Sequence, residues 1–415
     1  MNRKESDEQI IDTKVIQAAQ DLLQQRFVNA CEIRSITFLS EPERRNIVLR
    51  LYLEKNFVDI PDSLILKQSL PEATDDDDKD AYARFARDWA GLEFLSRIKQ
   101  SHHNAPTFYG GNKEHRFILL EDLGLEHISL VDSLTLPNRT EAIAALNRFM
   151  TALGSFHAAS YNHVSEYETI LGSINKPTES IQDELKFIFS DLLPRLELAN
   201  KNLVLSTTPD IIQEAKDLIR SLFTPGSFTV LTHGDICPDN VFDHKDKELQ
   251  LIDFEWAFVR NALLDGTYLR MSMPTCWCAK AIPIDVIEPL EVIYREQLKR
   301  AIPAASDDLA YMKAYTEACG FWLLQQTIPL LNSVIDKDRI GPSGPTPKVS
   351  LWKPEENNVR PRVLTRLQAF IDVATKNDHL PYLRKMAKDM LSALTLRWAD
   401  TKPLEVYPAF REYKL

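Results

Sequence analysis

The first third of the chain predicts a small sheet, because apolar and polar residues alternate there with the period of strands that have one buried face. The predicted strands are Ile33 to Phe38, Asn46 to Leu53, Ser63 to Gln68 and Arg116 to Glu121. Two stretches with helical spacing accompany them, residues 9–30 and 81–99. Residues 71–80 are acidic and polar, which predicts a loop.

Beyond Gly124, apolar residues recur mostly with helical spacing. The predicted helices are 138–162, 180–203, 208–223, 284–302, 306–331, 360–376 and 380–398. A short β-rich island at 228–254 interrupts them, and the proline-rich residues 336–361 predict a long surface loop or lid. We therefore predict an α+β fold with a sheet domain over 1–124 and a larger, mainly helical domain over 125–415.

Composition excludes several classes of protein. The 415 residues carry a net charge of −11, which argues against nucleic-acid binding. The polar start predicts no secretory signal, and no apolar run approaches the length of a membrane span. The five cysteines form no regular framework, so we expect reduced thiols in a cytoplasmic protein. Cys276 and Cys278 have no second cysteine or histidine pair close to them in sequence, and no zinc site is predicted.

The scarcity of glycine removes two common nucleotide-binding motifs. The chain has 12 glycines, and none of them fits G-x-G-x-x-G or G-x-x-x-x-G-K-[ST]. If the protein binds a nucleotide, it uses another arrangement.

Polar residues follow the short strands of the β-rich island. Asp235, Asn240 and Asp253 are placed at the ends of neighbouring strands and can project into one space. Carboxylate and amide oxygens are donors that Mg²⁺ prefers. This pattern predicts a site where several oxygens gather.

The same residues carry a resemblance. His233-Gly234-Asp235 with Asn240, followed by Asp253-Phe254-Glu255, resembles the catalytic loop and metal motif of the aminoglycoside phosphotransferase and choline kinase superfamily, which has a two-lobe protein-kinase-like fold. Glycine stands where protein kinases have an arginine that can bind a phosphorylated activation loop. Its presence favours a small-molecule kinase.

The resemblance implies a role for each matching residue. Asp235 would orient and deprotonate the attacking hydroxyl, while Asn240 and Asp253 would hold Mg²⁺ against the phosphates of ATP. His233 would hold the catalytic loop. His157, in a helix that ends in L-x-x-x-H-A, is interpreted as a packed structural residue.

The upstream half supplies the remaining parts in the expected order. Lys67, within the third strand, would bind the α- and β-phosphates, and its acidic partner would be either Asp88 or Glu93. Alignment with the motif favours Asp88, although the motif has a longer glutamate there. Glu121 and Leu123 resemble the hinge whose main chain binds adenine.

The turn between the first two strands departs from the family. In related kinases it covers the phosphates and often contains glycine, but residues 40–46 here contain none. We predict that Ser40, or Arg44 and Arg45, contact phosphate through their side chains, or that the turn barely contacts it.

The predicted reaction is ATP- and Mg²⁺-dependent phosphoryl transfer to a hydroxyl of a small molecule. An aminoglycoside, a choline-like amino alcohol or a sugar would serve as acceptor, and the oligomeric state stays open. Two alternatives are a catalytically quiet nucleotide-binding or scaffolding protein of the same fold and a kinase that acts on a protein.

Overall fold

The protein was analysed as a computed structural model that describes residues 11–28, 30–40, 45–98, 104–176, 181–243, 248–341 and 357–412. These residues form two compact units. The first contains the described residues of Met1–Leu125, Glu166–Lys176 and Asp253–Trp256, and the second contains the rest. The predicted division was 1–124 and 125–415; in the structure the first segment ends at Leu125, and two short segments, Glu166–Lys176 and Asp253–Trp256, also join the first unit.

The first unit is built on an antiparallel sheet in the order β1-β2-β3-β5-β4. Its elements are α1 (Thr13–Arg26), β1 (Cys31–Phe38), β2 (Asn46–Lys55), β3 (Ser63–Ser69), α2 (Asp75–Arg97), β4 (Phe108–Asn112) and β5 (Phe117–Glu121). The predicted strands are present, and the sequence predicted no strand at β4. Helix α5 (Val164–Ile174) contributes most of its length to this unit.

The core of the first unit lies between the sheet and α1. Leu49, Leu64 and Leu66 are fully buried there, against Ala19 and Leu23 of the helix. Side chains alternate between the two faces of a strand, so Lys67 lies on the opposite face from Leu66. That opposite face is where the candidate site begins.

The predicted acidic loop at 71–80 is wrong, because its acidic run is the first turn of α2. The side chain of Thr74 caps this helix by accepting a hydrogen bond from the amide of Asp77. Four carboxylates in the first turn favour the positive end of the helix dipole. One of them, Asp78, also pairs with Arg116 at 2.6 and 2.9 Å.

The second unit is mainly helical. Its helices are α3 (Leu130–Thr135), α4 (Arg139–Ser160), α6 (Ile181–Asn202), α7 (Pro209–Phe223), α8 (Leu263–Gly266), α9 (Ile284–Leu298), α10 (Asp308–Trp322), α11 (Ile328–Val334), α12 (Val359–Lys376) and α13 (Pro381–Arg397). Its strands are β6 (Ile128–Ser129), β7 (Thr229–Thr232), β8 (Val241–Asp243), β9 (Gln250–Leu251) and β10 (Phe258–Asn261). They form two small antiparallel sheets, β10-β7 and β6-β8-β9.

The α+β class is confirmed, with a small antiparallel sheet and a mostly helical remainder. The single helix predicted over 306–331 is instead α10 and α11, joined by a π-helical turn at Leu323–Thr327. The core of the proline-rich segment, 342–356, lies outside the described residues. None of the described helices combines the length and apolar character needed to cross a bilayer.

Candidate active site

A buried ion cluster forms around Lys67 in the first unit. The Nζ of Lys67 donates to Asp88 Oδ2 at 2.7 Å and also to Asp253 Oδ1. The side chain of Lys67 is only 14% exposed, and that of Asp88 is 5% exposed. The structure thus brings together three residues that are far apart in sequence.

The two candidate partners of Lys67 on α2 have different surroundings. Asp88 faces the lysine, whereas Glu93 accepts a hydrogen bond from Trp89 Nε1 at 2.6 Å and pairs with Arg97. The residues are five positions apart, so they lie on different sides of the helix. The structure therefore pairs Lys67 with Asp88.

Charge is concentrated in this cluster. Burial alone would lower the pKa of Lys67, but the carboxylates of Asp253, Asp88 and Glu255 outweigh it and raise that pKa. Burial and the nearby Asp253 raise the pKa of Asp88, while Lys67 lowers it. Lys67 therefore stays protonated across the neutral range, among more carboxylates than it can neutralise.

The segment Asp253–Trp256 is anchored to α2 at several points. Asp253 adopts a left-handed backbone conformation with φ of 71°, which Asp tolerates better than most residues. The amide of Phe254 donates to Asp88 Oδ1 at 2.8 Å, and Arg87 Nε donates to the carbonyl of Glu255 at 2.7 Å. Asp88 therefore positions both Lys67 and the chain that carries Asp253.

Arg45, the described arginine of the glycine-free segment 40–46, reaches the same cluster. Arg45 forms an ion pair with Glu255, a contact that the sequence did not predict. Ser40 Oγ accepts a hydrogen bond from the amide of Val48 at 3.1 Å, which fixes the hydroxyl at the base of the turn. Arg44 lies outside the described residues. Phosphate contacts of Ser40 and Arg45 stay predictions.

The predicted hinge residues, Glu121 and Leu123, lie at the end of β5 and just beyond it. Asp122, between them, is held by several hydrogen bonds. Asp122 pairs with Arg50 at 2.6 Å and accepts hydrogen bonds from Ser63 Oγ at 2.6 Å and from the amide of Gly124 at 2.9 Å. Glu121 uses its side chain to bond Thr107 and its amide to bond the carbonyl of the same residue. These contacts fix the backbone beside Leu123, the second predicted hinge residue.

The catalytic-loop motif lies in the second unit, directly after β7. His233 is fully buried, and its Nε2 donates to the carbonyl of Ile252 at 2.9 Å. Gly234 has a φ of 80°, a conformation in which a residue with a side chain is strained. This geometry is a structural reason for glycine in H-G-D. Asn240 Nδ2 donates to the carbonyl of Asp235 at 2.9 Å and closes the loop.

Sequence reasoning missed Asp265 and Thr275, two residues that hold this loop. Asp265, on α8, is 2% exposed and accepts from the amides of His233 at 2.6 Å and Gly234 at 3.3 Å. His157 contacts the same carboxylate at 3.2 Å, so it is a packed structural residue. Thr275 Oγ1 donates to Asp235 Oδ1 at 2.8 Å. An acid between apolar Leu263-Leu264 and Gly266 was the signal available for Asp265.

The predicted site residues therefore form two sets. Lys67, Asp88 and Asp253 contact one another in the first unit, and Asp235 and Asn240 contact each other in the second. Asp253 and Asn240 offer a carboxylate and an amide oxygen, so the chemistry of these donors fits Mg²⁺.

Comparison with known proteins gives one informative match. A sequence profile described as the ecdysteroid kinase-like family matches residues 80–298, more than half of the chain. The match includes Asp88, Asp235 and Asp253 and excludes Lys67 and Ser40. No curated protein matches the chain in sequence.

Several solved structures are similar at low identity. Choline kinase from Cryptosporidium parvum is 10% identical with a TM-score of 0.42, and the alignment covers 91% of this chain and 99% of that one. For a ternary complex of streptomycin, ATP and the aminoglycoside phosphotransferase APH(2")-IIa, the sequence identity is 15% and the TM-score is 0.43. That alignment covers 78% of this chain and 94% of the other. For choline kinase LicA from Streptococcus pneumoniae, the sequence identity is 12% and the TM-score is 0.39, and the alignment covers 86% of this chain and 99% of the other. Sequence identities and TM-scores this low carry no argument about the activity of this chain.

Proposed function

Since the chain belongs to the ecdysteroid kinase-like family, we propose that it transfers the γ-phosphoryl group of ATP to a hydroxyl of a small molecule. Membership confirms the predicted resemblance to the aminoglycoside phosphotransferase and choline kinase superfamily, which has a protein-kinase-like fold. The ATP and Mg²⁺ dependence, the acceptor and the residue roles belong to the proposal.

The observation that carries the proposal is the buried cluster of Lys67, Asp88 and Asp253. A lysine on a strand is costly to bury unless anions surround it, and this one is held charged by two carboxylates. A permanently protonated ammonium group suits the binding of phosphate oxygens. The neighbouring Asp253 carboxylate suits a metal ion that accompanies the phosphates.

The roles of the individual residues follow from their contacts. Lys67 binds phosphate oxygens, and Asp88 positions both the lysine and the segment that carries Asp253. When bound, Mg²⁺ neutralises phosphate charge, and Asp253 and Asn240 would hold it. Asp235, with its carboxylate oriented by Thr275, would accept the proton of the acceptor hydroxyl. Glu121 and Leu123 would bind adenine through their main chain.

The proposal also concerns the chemical class of the acceptor. The description of the family makes a polyhydroxylated ecdysteroid the first candidate to test. Choline-like amino alcohols, aminoglycosides and sugars form the comparison set. Choline-like amino alcohols and aminoglycosides are cations, whereas ecdysteroids and sugars are neutral, so a panel containing one member of each class separates a steroid pocket from a cation pocket.

The test is phosphate transfer from radiolabelled ATP to this panel, with Asp235→Asn and Asp253→Ala as inactive variants. We expect product with one acceptor class and a loss of at least about 10²-fold in rate in each variant, since general-base and metal contacts contribute that much. Glu93→Gln is the matched control on α2 and should keep full activity. Full activity in Asp235→Asn or Asp253→Ala would refute the assigned roles.

The catalytically quiet alternative gives a different result. It predicts that the protein binds Mg-ATP but transfers phosphate to no acceptor in the panel or in a metabolite extract. An ATP-dependent product that disappears in Asp235→Asn would exclude it.

A further inference from the structure

Two thiols and a carboxylate meet in the second unit, beside the catalytic-loop motif. The ligand atoms of Cys237, Asp239 and Cys276 all lie within 4.8 Å of one another. Cys278 Sγ lies 3.1 Å from Cys276 Sγ but is not part of this group. The three cysteines are buried and carry free thiols.

We propose that Cys237, Asp239 and Cys276 together bind one Zn²⁺ ion. Protein zinc sites are tetrahedral and use thiolates, imidazoles and carboxylates, and three protein ligands leave the fourth position to a water molecule. Metal–ligand distances of about 2.0–2.3 Å keep the ligand atoms of such a site within roughly 4 Å of one another, on the scale of the separations here. Each of the two thiols releases one proton on binding, and Asp239 binds as the carboxylate.

The charge of the surroundings supports this site. Arg362 and Arg366 are 3% and 0% exposed, and within the described parts of the chain their hydrogen bonds go to backbone carbonyls. Arg362 bonds the carbonyls of Cys276 and Trp277 at 3.1 and 2.7 Å. A divalent ion with two thiolates and one carboxylate carries a net single negative charge, which the nearby guanidinium groups offset.

The ligands are also held from outside, as metal ligands commonly are. Trp277 Nε1 donates to Asp239 Oδ2 at 2.9 Å and orients that carboxylate. Asn357 Nδ2 and Arg362 both donate to the carbonyl of Trp277, which fixes the loop between the two cysteines. These contacts position the carboxylate and the C-x-C loop for a common ligand.

The ion would connect two loops that serve Asp235. Cys237 and Asp239 lie between Asp235 and Asn240, and the other loop carries Thr275, which bonds the Asp235 carboxylate. The zinc would thus brace the catalytic loop without touching the reactants. This consequence rests on the proposed function, whereas the metal site itself does not.

The test uses the full-length protein purified under reducing conditions without chelator. We expect about one equivalent of zinc per chain by mass spectrometry of the metal. After zinc is removed, titration with Co²⁺ should give thiolate-to-cobalt charge-transfer absorption that saturates at one equivalent. Less than about a tenth of an equivalent of metal, together with no charge-transfer band on adding Co²⁺, would overturn the proposal.

Two variants assign the ligands. Cys276→Ser should lose the metal, while Cys319→Ser, which changes a buried thiol elsewhere in the unit, should keep it. Equal metal content in the two variants would contradict the site, and so would a Cys276–Cys278 disulfide in freshly purified, metal-free protein. If Cys276→Ser does not fold, the cobalt spectrum of the unmodified chain decides the question. Because the readout is metal content, the site can be right or wrong independently of kinase activity.

Discussion

Asp88 has two tasks, and its length suits both. One oxygen accepts from Lys67 at 2.7 Å and the other from the amide of Phe254 at 2.8 Å. The related motif has a longer glutamate at this position. The shorter side chain of Asp88 still contacts Lys67 directly, and it also bonds the backbone of the Asp253–Trp256 segment.

Asp88→Ala should therefore weaken the binding of ATP and lower stability. It leaves the buried amide of Phe254 without its acceptor, which costs about 1–3 kcal/mol. Urea denaturation and the KM for ATP measure the two effects. Glu93→Ala, on the same helix, is the control, and a similar loss in both variants would contradict a special role for Asp88.

Asp265 is a buried charged acceptor for the backbone amides of the loop that carries Asp235. Burial raises its pKa, but hydrogen bonds and the charges of His157 and His233 outweigh burial, so the pKa of Asp265 is lowered. A carboxyl with a lowered folded-state pKa adds stability above its unfolded pKa, and that stability is lost as pH falls through the folded pKa.

Asp265→Asn should reduce stability at neutral pH by about 1–3 kcal/mol, because it removes a charged acceptor of buried amides. The difference from the unmodified protein should shrink as pH falls below about 4, the ordinary range of an aspartate. Denaturant titrations at a series of pH values test this prediction. A difference that stays constant down to the acid limit would contradict the assigned role of the charge.

Helices α4 and α9 approach closely at a glycine. A Cβ at Gly154 would lie 2.6 Å from Gln297 Cβ and 2.9 Å from the carbonyl of Tyr294, closer than such atoms pack. This packing places α4, which ends near His157, against the helix that provides the Tyr294 hydroxyl for that histidine at 2.8 Å.

Gly154→Ala should destabilise the protein by about 1–3 kcal/mol through overpacking. Gly172→Ala in α5 is the opposite case, since nothing lies within 4 Å of its added carbon and helix propensity favours alanine by about 1 kcal/mol. Thermal denaturation of the two variants compares them directly. Destabilisation of equal size in both would show that propensity and packing are not the determining terms.

Periodicity located the long helices and most strands because those elements bury one face. Periodicity failed to predict two elements that are determined by helix capping or by strand pairing. The acidic start of α2 looks like a loop by composition, yet it is stabilised by the Thr74 cap and by the helix dipole. Strand β4 contains Gly110 and Gly111, which lack side chains that could show alternation, and it is defined by its pairing with β5.

The candidate site was predictable where a motif is local in sequence. Lys67, Asp88 and the Asp253 motif could be named from their resemblance to the motifs of a known family, although their contacts depend on the folded chain. The Arg45–Glu255 ion pair and the support of Asp235 by Thr275 join distant segments with no pattern of their own. The same is true of the candidate zinc site, where Cys276 gains Cys237 and Asp239 as neighbours from another loop.

Ligand binding should stabilise the whole chain if the proposed nucleotide site is correct. A ligand at 100 times its Kd adds about 2.7 kcal/mol to the stability of the state that binds it. Mg-ATP should therefore raise the Tm of the unmodified protein by a few degrees, and Asp253→Ala should remove most of this shift. An equal shift in both proteins would contradict the role of Asp253 as metal ligand.

The chain enters the first unit more than once. Its described residues come from 1–125, from 166–176 and from 253–256, so no single continuous segment contains the whole unit. A fragment that ends at Leu125 would keep Lys67 and Arg45 but would lack Asp253 and Glu255, their ion-pair partners.

This connectivity has a consequence for how the protein is made. Lys67 leaves the ribosome 186 residues before Asp253, a delay of roughly 10–40 s at ordinary rates of synthesis. During that interval the sheet and α1 can assemble, but the lysine still lacks Asp253, one of its two ion-pair partners among the described residues. The nascent first unit is thus incomplete until the metal motif emerges, and a ribosome pause between these points would prolong its exposure to chaperones and proteases.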